Sequence, residues 1–342
     1  MAVDASADKN ALMPRYRRVL GVGALLDECI RLFRDRWRTF AVFSAVSLVP
    51  LGVVSLGVSL AFAATLQPSA FRGIATPGPQ QLQQLGQLFA VIAVFIGLVG
   101  IASGLIGLIW TAAITATTDA IMREERPTIG RVYGIALRRL LALIGGSFLI
   151  AVAIGVLSLV AMVLFVITLF GLGTLIALVC LIVWATRPAA RKVWLKWLIV
   201  LTFPFGLPMF FFVRWSMFVP AIVLERRGPM RAMERSQALV SGQWFHVAGV
   251  LAVASLIVGV LVSAPSYLVS LPLSVAAQAR GTVGPDPIQS VATQAVSLVC
   301  QVVFASIGTI AYTLLFTDLR NRREGADLAE RVRQLEMASV PP

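Results

Sequence analysis

The groups able to do chemistry are few. The sequence has one histidine, His246, and three cysteines, Cys29, Cys180 and Cys300, set far apart. Catalysis needs a nucleophile with a base, paired carboxylates or a metal. His246 follows Trp244 and Phe245 directly and has no acid near it in sequence. It reads as an interfacial ring rather than a base, which would need an orienting partner. The cysteines show neither metal-ligand spacing nor a disulfide framework. Gly21-Val22-Gly23 lacks the third glycine and the preceding strand of a nucleotide loop. No catalytic residue, cofactor or metal is expected.

Arg214 stands apart. It lies in FFFVRWSMFVPAIVLE, an uncharged stretch that ends at Glu225. In one continuous helix it would sit about 15 Å from that end. A cation at such depth is costly and faces a partner or a wet cavity. Asp119 and Asp318, which close two other apolar runs, are the expected partners in an intramembrane polar site of Arg214, Asp119 and Asp318. The alternative is snorkelling, with Trp215 marking an interface.

These groups must be positioned by apolar helices. The 342 residues are 58% hydrophobic and 13% charged, where a soluble domain carries about a quarter charged residues. Thr39–Phe71, Gly73–Thr118, Leu140–Thr186, Ser236–Ala279 and Pro287–Thr317 contain no Lys, Arg, Asp or Glu. A membrane crossing takes about 20 apolar residues, and a helix satisfies its own backbone in lipid. The expected fold is an all-α polytopic membrane protein. It has six transmembrane helices, one extra apolar or re-entrant segment and three amphipathic interfacial helices. Residues 1–19 form a disordered cytoplasmic N-terminus with no signal-peptide pattern. Residues 20–318 form the membrane domain, and 319–342 a cytoplasmic tail.

The net charge of +13 does not point to nucleic acid, because the positives cluster in short segments between apolar runs. That is the pattern of loops held on the cytoplasmic side. Three such segments are amphipathic. In 20–40, Leu26, Cys29, Ile30, Phe33, Trp37 and Phe40 share a face. In the second, Thr128 caps a helix presenting Ile129, Tyr133, Ala136, Leu137 and Leu140. In the third, Gly228-Pro229 starts a helix in which Ala232, Met233, Leu239 and Val240 lie opposite Arg231, Glu234 and Arg235, with Gly242 as its stop. Similar endings, AIMREERP, AIVLERRGP and TDLRNRREG, suggest three repeats over 20–127, 128–228 and 229–318. The loop 65–87 is placed outside, and the second span runs over about 88–118.

Between Leu140 and Glu225 the apolar material would make about three crossings, while both charged ends belong inside. Either 171–186 is re-entrant and 198–224 spans, or the reverse, with FPFGLP at 203–208 as the fold-back. The repeat favours the first. RPAARKVWLKW at 187–197 favours the second. Gly100 with Gly104, and Ser255, Gly259 and Ser263, are small residues four apart and read as helix-packing positions.

The segments GALLDECIRLFRDRWRTF, VRWSMFVPAIVLE, AMERSQALVSGQWFHVAGV and TDLRNRREGADL resemble, in this order, the membrane domain of bacterial glycerophosphoryl diester phosphodiesterases and its stand-alone relatives. The resemblance covers about 20–325. It implies a bacterial cell-membrane protein. In fused members a catalytic barrel uses a His-Arg-Gly stretch, a second histidine and metal-binding acids. This chain has no His-Arg pair and one histidine, so the phosphodiesterase activity is not carried over. The expected function is a non-catalytic scaffold or interaction domain. Its basic cytoplasmic collar would contact anionic lipid, a protein partner or a second copy. The alternative is a transporter or channel, with parallel repeats, a proline-broken segment and a buried arginine in its favour. A lipid-processing enzyme is the third reading.

Overall fold

Every element in the computed structural model is a helix among the residues it describes, which are 20–65, 79–167, 206–279 and 287–325. In chain order they are α1 (Val22–Thr65), α2 (Pro79–Met122), α3 (Ile129–Arg138), α4 (Leu140–Ile167), α5 (Gly206–Trp215), α6 (Phe218–Leu224), α7 (Pro229–Val240), α8 (Trp244–Ala279), α9 (Pro287–Phe304) and α10 (Ser306–Glu324). Five stretches are long and apolar enough to cross a membrane: Val22–Leu60, Val99–Met122, Leu140–Val163, Trp244–Ala276 and Gln289–Arg323. Their outward surfaces are also apolar. Phe148 and Leu159 of α4 are 66% exposed, and Leu268 of α8 is 71% exposed. Contiguous surface of that kind suits hydrocarbon rather than water. The chain is an all-α membrane protein.

Of the sixth expected span, 198–224, the described part forms the short helices α5 and α6, and the rest lies outside the described residues. So do the alternative, 171–186, the basic run 187–197, Cys180 and the tails at 1–19 and 326–342. Helix α2 begins at Pro79, earlier than the expected loop 65–87 allows. Proline suits the first helical position, and the glutamines and leucines that follow are good helix formers.

The described residues fall into two compact units. One takes residues 1–140 and 249–342; the other takes 141–248. In the first unit α1 packs against α9, α10 and α2, and α2 packs against α3 and α10. Gly52 of α1 makes room for α9: an added Cβ there would lie 2.5 Å from Leu298. The interior of this unit is rich in hydroxyls. Thr115, Thr117 and Thr118 of α2 and Thr313 and Thr317 of α10 are buried. Each donates to its own helix four residues back, at 2.8 to 3.0 Å. No hydroxyl among these five is left unpaired in an apolar setting. In the second unit α7 packs against α5 and α6. Gly146 admits the Phe218 ring, 3.2 Å from where its Cβ would be.

Four of the described helices stop at a residue with positive φ: Glu124 (61°) after α2, Arg226 (55°) after α6, Gly242 (82°) after α7 and Gly325 (62°) after α10. After α2 the bonds form a Schellman motif, with Glu125 N donating to Ala120 O (2.9 Å) and Glu124 N to Ile121 O (3.0 Å). A side chain is unfavourable in this left-handed conformation. Glu124 is exposed. Glu124→Gly is therefore expected to raise stability by about 0.5–1 kcal/mol, read as a higher thermal midpoint in detergent. A lower midpoint would show that the carboxylate has an unseen role.

Candidate functional site

Pro220 breaks what would otherwise be one helix from Gly206 to Leu224. It has no N–H for the carbonyl of Ser216, and its ring crowds that carbonyl. Helix α5 stops at Trp215 and α6 starts at Phe218. The continuous helix assumed for Arg214 is thus replaced by a turn two residues beyond it. That turn presents the Arg214 carbonyl and the Met217 amide to α7. Ser236, fully buried, serves both. Its Oγ donates to Arg214 O (2.9 Å) and accepts from Met217 N (3.0 Å). One residue on, the Gln237 amide, oriented by its hydrogen bonds, accepts from Nε (2.9 Å) and Nη2 of Arg214.

Glu225 anchors the other side of α7. Arg235 Nε lies 3.1 Å from both carboxylate oxygens of Glu225, and its Nη2 lies 3.0 Å from Oε1. Arg227 Nε adds a contact at 2.6 Å. Glu225 and Arg235 are 12% and 19% exposed in their side chains. This bidentate pair fixes geometry as well as charge.

In the first unit each expected carboxylate meets an arginine four residues on. Asp119 takes Arg123 Nε at 2.9 Å, and Asp318 takes Arg322 Nε at 2.8 Å. Asp318 does more. Its other oxygen accepts from Leu20 N at 2.7 Å, and Arg322 Nη2 donates to Leu20 O. The start of α1 is therefore clamped to the end of α10. Cys29 supports this seam by donating its thiol to Ile307 O at 3.3 Å. Among the described residues Arg214 is met by Gln237, Asp119 by Arg123, and Asp318 by Arg322 and Leu20.

The three amphipathic segments share one plan. Each is divided into three sectors rather than two faces. In α1, Leu25, Cys29 and Leu32 are buried, Ile30 and Trp37 are exposed, and Asp27, Arg31 and Arg34 are exposed on the remaining side. The apolar face expected of this helix divides: Cys29 and Phe40 are buried, Ile30 and Trp37 face outward, and Leu25 and Leu32 join the buried side, because the helix packs on protein as well as facing outward. In α3, Val132 and Ala136 are buried, Ile129 and Leu137 are exposed, and so are Arg131 and Arg138. Thr128 occupies the N-cap position without a side-chain cap bond. Tyr133 points inward. Its hydroxyl donates to Phe43 O (2.6 Å) and meets Ser47 Oγ (2.8 Å). Burial pushes this phenol above its ordinary value, against the opposing bond from Ser47. In α7, Ala232, Ser236, Leu239 and Val240 are buried, Met230 is exposed, Met233 is half-buried, and Arg231 and Glu234 are exposed. Gly228 is its N-cap with Pro229 following, and Gly242 has φ 82°.

His246 is half-buried in the first turn of α8, beside the ring cluster in which Trp244 stacks on Phe210 at 5.8 Å. Gly100, Gly104, Ser255, Gly259 and Ser263 are exposed, and a Cβ at the three glycines would meet nothing within 4 Å among the described residues. No group of three or more His, Cys, Asp or Glu is placed to hold a metal among the described residues. Sequence reasoning missed Ser236 and Gln237. The available signal was Pro220, whose break creates polar backbone that a neighbouring side chain must answer.

The profile of the family Domain of unknown function (DUF7847) matches residues 44–319. The chain belongs to the DUF7847 family. The matched region opens in α1 beyond its amphipathic segment and closes just past Asp318, so the DUF7847 region contains α3, α7 and the Arg214 break. No curated protein and no solved structure matches the chain.

Proposed function

We propose that the chain is a non-catalytic membrane scaffold or interaction domain that presents basic amphipathic helices to anionic lipid at the cytoplasmic face. One observation carries the reading. In α1 and α3 an exposed apolar sector lies beside exposed arginine, Ile30 and Trp37 with Arg34 and Ile129 and Leu137 with Arg138, and in α7 exposed Met230 adjoins Arg231 and Glu234. A helix of that kind rests its apolar side in the headgroup boundary and its charges in the anionic surface layer. The positive-inside pattern places the termini and these segments in the cytoplasm. The resemblance to the phosphodiesterase membrane domain supports a non-catalytic role. A protein partner or a second copy is the other occupant of this surface.

The contacts of α7 separate its residues in a test. Arg231 is exposed, whereas Arg235 is held by Glu225. In nanodiscs, Arg231→Gln is expected to keep the fold and reduce retention of anionic lipid, by about 1 kcal/mol per charge. Arg235→Gln should lower thermal stability instead. Leu239→Asp, at a buried position, should prevent folding. The lipid effect should fade with salt, as the Debye length drops from about 10 Å at 0.1 M to about 3 Å at 1 M. Equal anionic-lipid retention at low salt by the parent and by a variant combining Arg34→Gln, Arg138→Gln and Arg231→Gln would move the reading to a protein partner.

A transporter reading is favoured by the broken α5–α6 helix with Arg214 at its break, since discontinuous helices build substrate sites in transporters. Solute uptake into liposomes, abolished by Arg214→Gln, would establish it.

A further inference from the structure

Resting on the lipid-facing reading above, we propose that the elbow of α1, Arg34 to Arg38, is the site where the chain holds anionic phospholipid headgroups. Helix α1 loses helical geometry at Arg36 (φ −130°, ψ 22°). Before the kink the helix is amphipathic, and after Arg38 it is free of charge up to Phe71. The kink therefore marks the passage from surface to span. Arg34, Arg36 and Arg38 are all exposed, against one aspartate, Asp35, also exposed. Trp37 is 45% exposed, and the Arg38 guanidinium lies 5.6 Å from its ring centroid. An indole prefers the headgroup level of a bilayer. A cation stacked on it is held at the level of lipid phosphate, which guanidinium binds through paired N–H donors.

The other basic segments lack this combination. Around α7, Arg227 before the helix and Arg235 within it are taken by Glu225, and exposed Arg231 has Glu234 exposed nearby. In α3, Arg131 is paired with Glu125 at 2.7 Å. Arg138 remains exposed, but the ring of that helix, Tyr133, is turned inward to Phe43.

The experiment uses the full chain in vesicles containing brominated phosphatidylglycerol or brominated phosphatidylcholine at equal mole fraction. Quenching of Trp37 is obtained as the difference between the parent and Trp37→Phe. At low salt, Trp37 should be quenched several-fold more by the anionic lipid. The preference should fall by roughly fivefold for each arginine removed. It should vanish in the triple variant Arg34→Gln, Arg36→Gln, Arg38→Gln and persist in the triple lysine variant, which keeps the charge and serves as the folding control. If the parent prefers anionic lipid overall, but the triple glutamine variant retains it while Arg231→Gln or Arg138→Gln loses it, the elbow is overturned and the lipid-facing reading stands. If the parent shows no anionic preference at any position, both fall. Equal quenching of Trp37 by the two lipids, with acidic protein bound at the elbow, would likewise overturn the proposal.

Discussion

Replacing Asp318 by alanine should destabilise the first unit by about 3 kcal/mol, the scale for breaking a buried ion pair. The carboxylate is 1% exposed in its side chain. It receives Arg322 and the backbone amide of Leu20, at 2.8 and 2.7 Å. Alanine removes both bonds at once and leaves the arginine facing a site built for an anion. Arg322 is 23% exposed, so water relieves part of its loss and keeps the cost at the lower end of the range. Asp318→Asn keeps an acceptor for Leu20 and should cost less, about 1–2 kcal/mol. Hydrogen exchange provides the local signature: amides at the start of α1 should lose protection in the alanine variant, while those of α5 to α7 should not. Unchanged exchange at 20–32 would show that the clamp contributes nothing to holding α1.

The second large effect is expected at Ser236. Ser236→Ala removes the group that accepts from Met217 N and donates to Arg214 O. The buried Met217 amide and the part-buried Arg214 carbonyl lose this partner, and each costs about 1–3 kcal/mol when left unmade. We expect a loss of about 2–4 kcal/mol and loosening of α7 from the α5–α6 turn. Arg231→Gln, on the exposed side of the same helix, should stay within about 0.5 kcal/mol of the parent in stability. The pair of variants is to be compared by thermal denaturation in one detergent. Similar midpoints for Ser236→Ala and Arg231→Gln would mean that the break is satisfied by something other than Ser236.

The class of fold was legible from charge-free runs alone, because lipid demands long apolar helices and little else does. The amphipathic segments were legible from spacing, and Gly228-Pro229 and Gly242 bound α7 as their backbone preferences require. The choice of which apolar residues turn inward was not. Leu25 and Ile30 are equally oily, and only the packing partner on one side of α1 decides between them. Arg214 drew attention for its charge, yet what answers it is Gln237, a neutral residue in a helix that begins 15 residues further on. Long-range pairs such as Leu20 with Asp318 leave no local pattern. The aspartate and its arginine at i+4 were visible, but not the backbone amide they hold.

That last bond also has a consequence for how the chain is made. The first unit is assembled from both ends of the sequence, with 141–248 inserted between them. During synthesis the inserted unit has all its own residues before the first unit has α9 and α10. The start of α1 meets its anchor only after 298 further positions. Until then the Leu20 amide, the Cys29 thiol and the inward stripe of Leu25 and Leu32 must be sheltered by lipid, water or an insertion factor. Chains cut short before Asp318 carry an unfastened basic helix. Cellular proteases and chaperones can read that as the mark of an unfinished product.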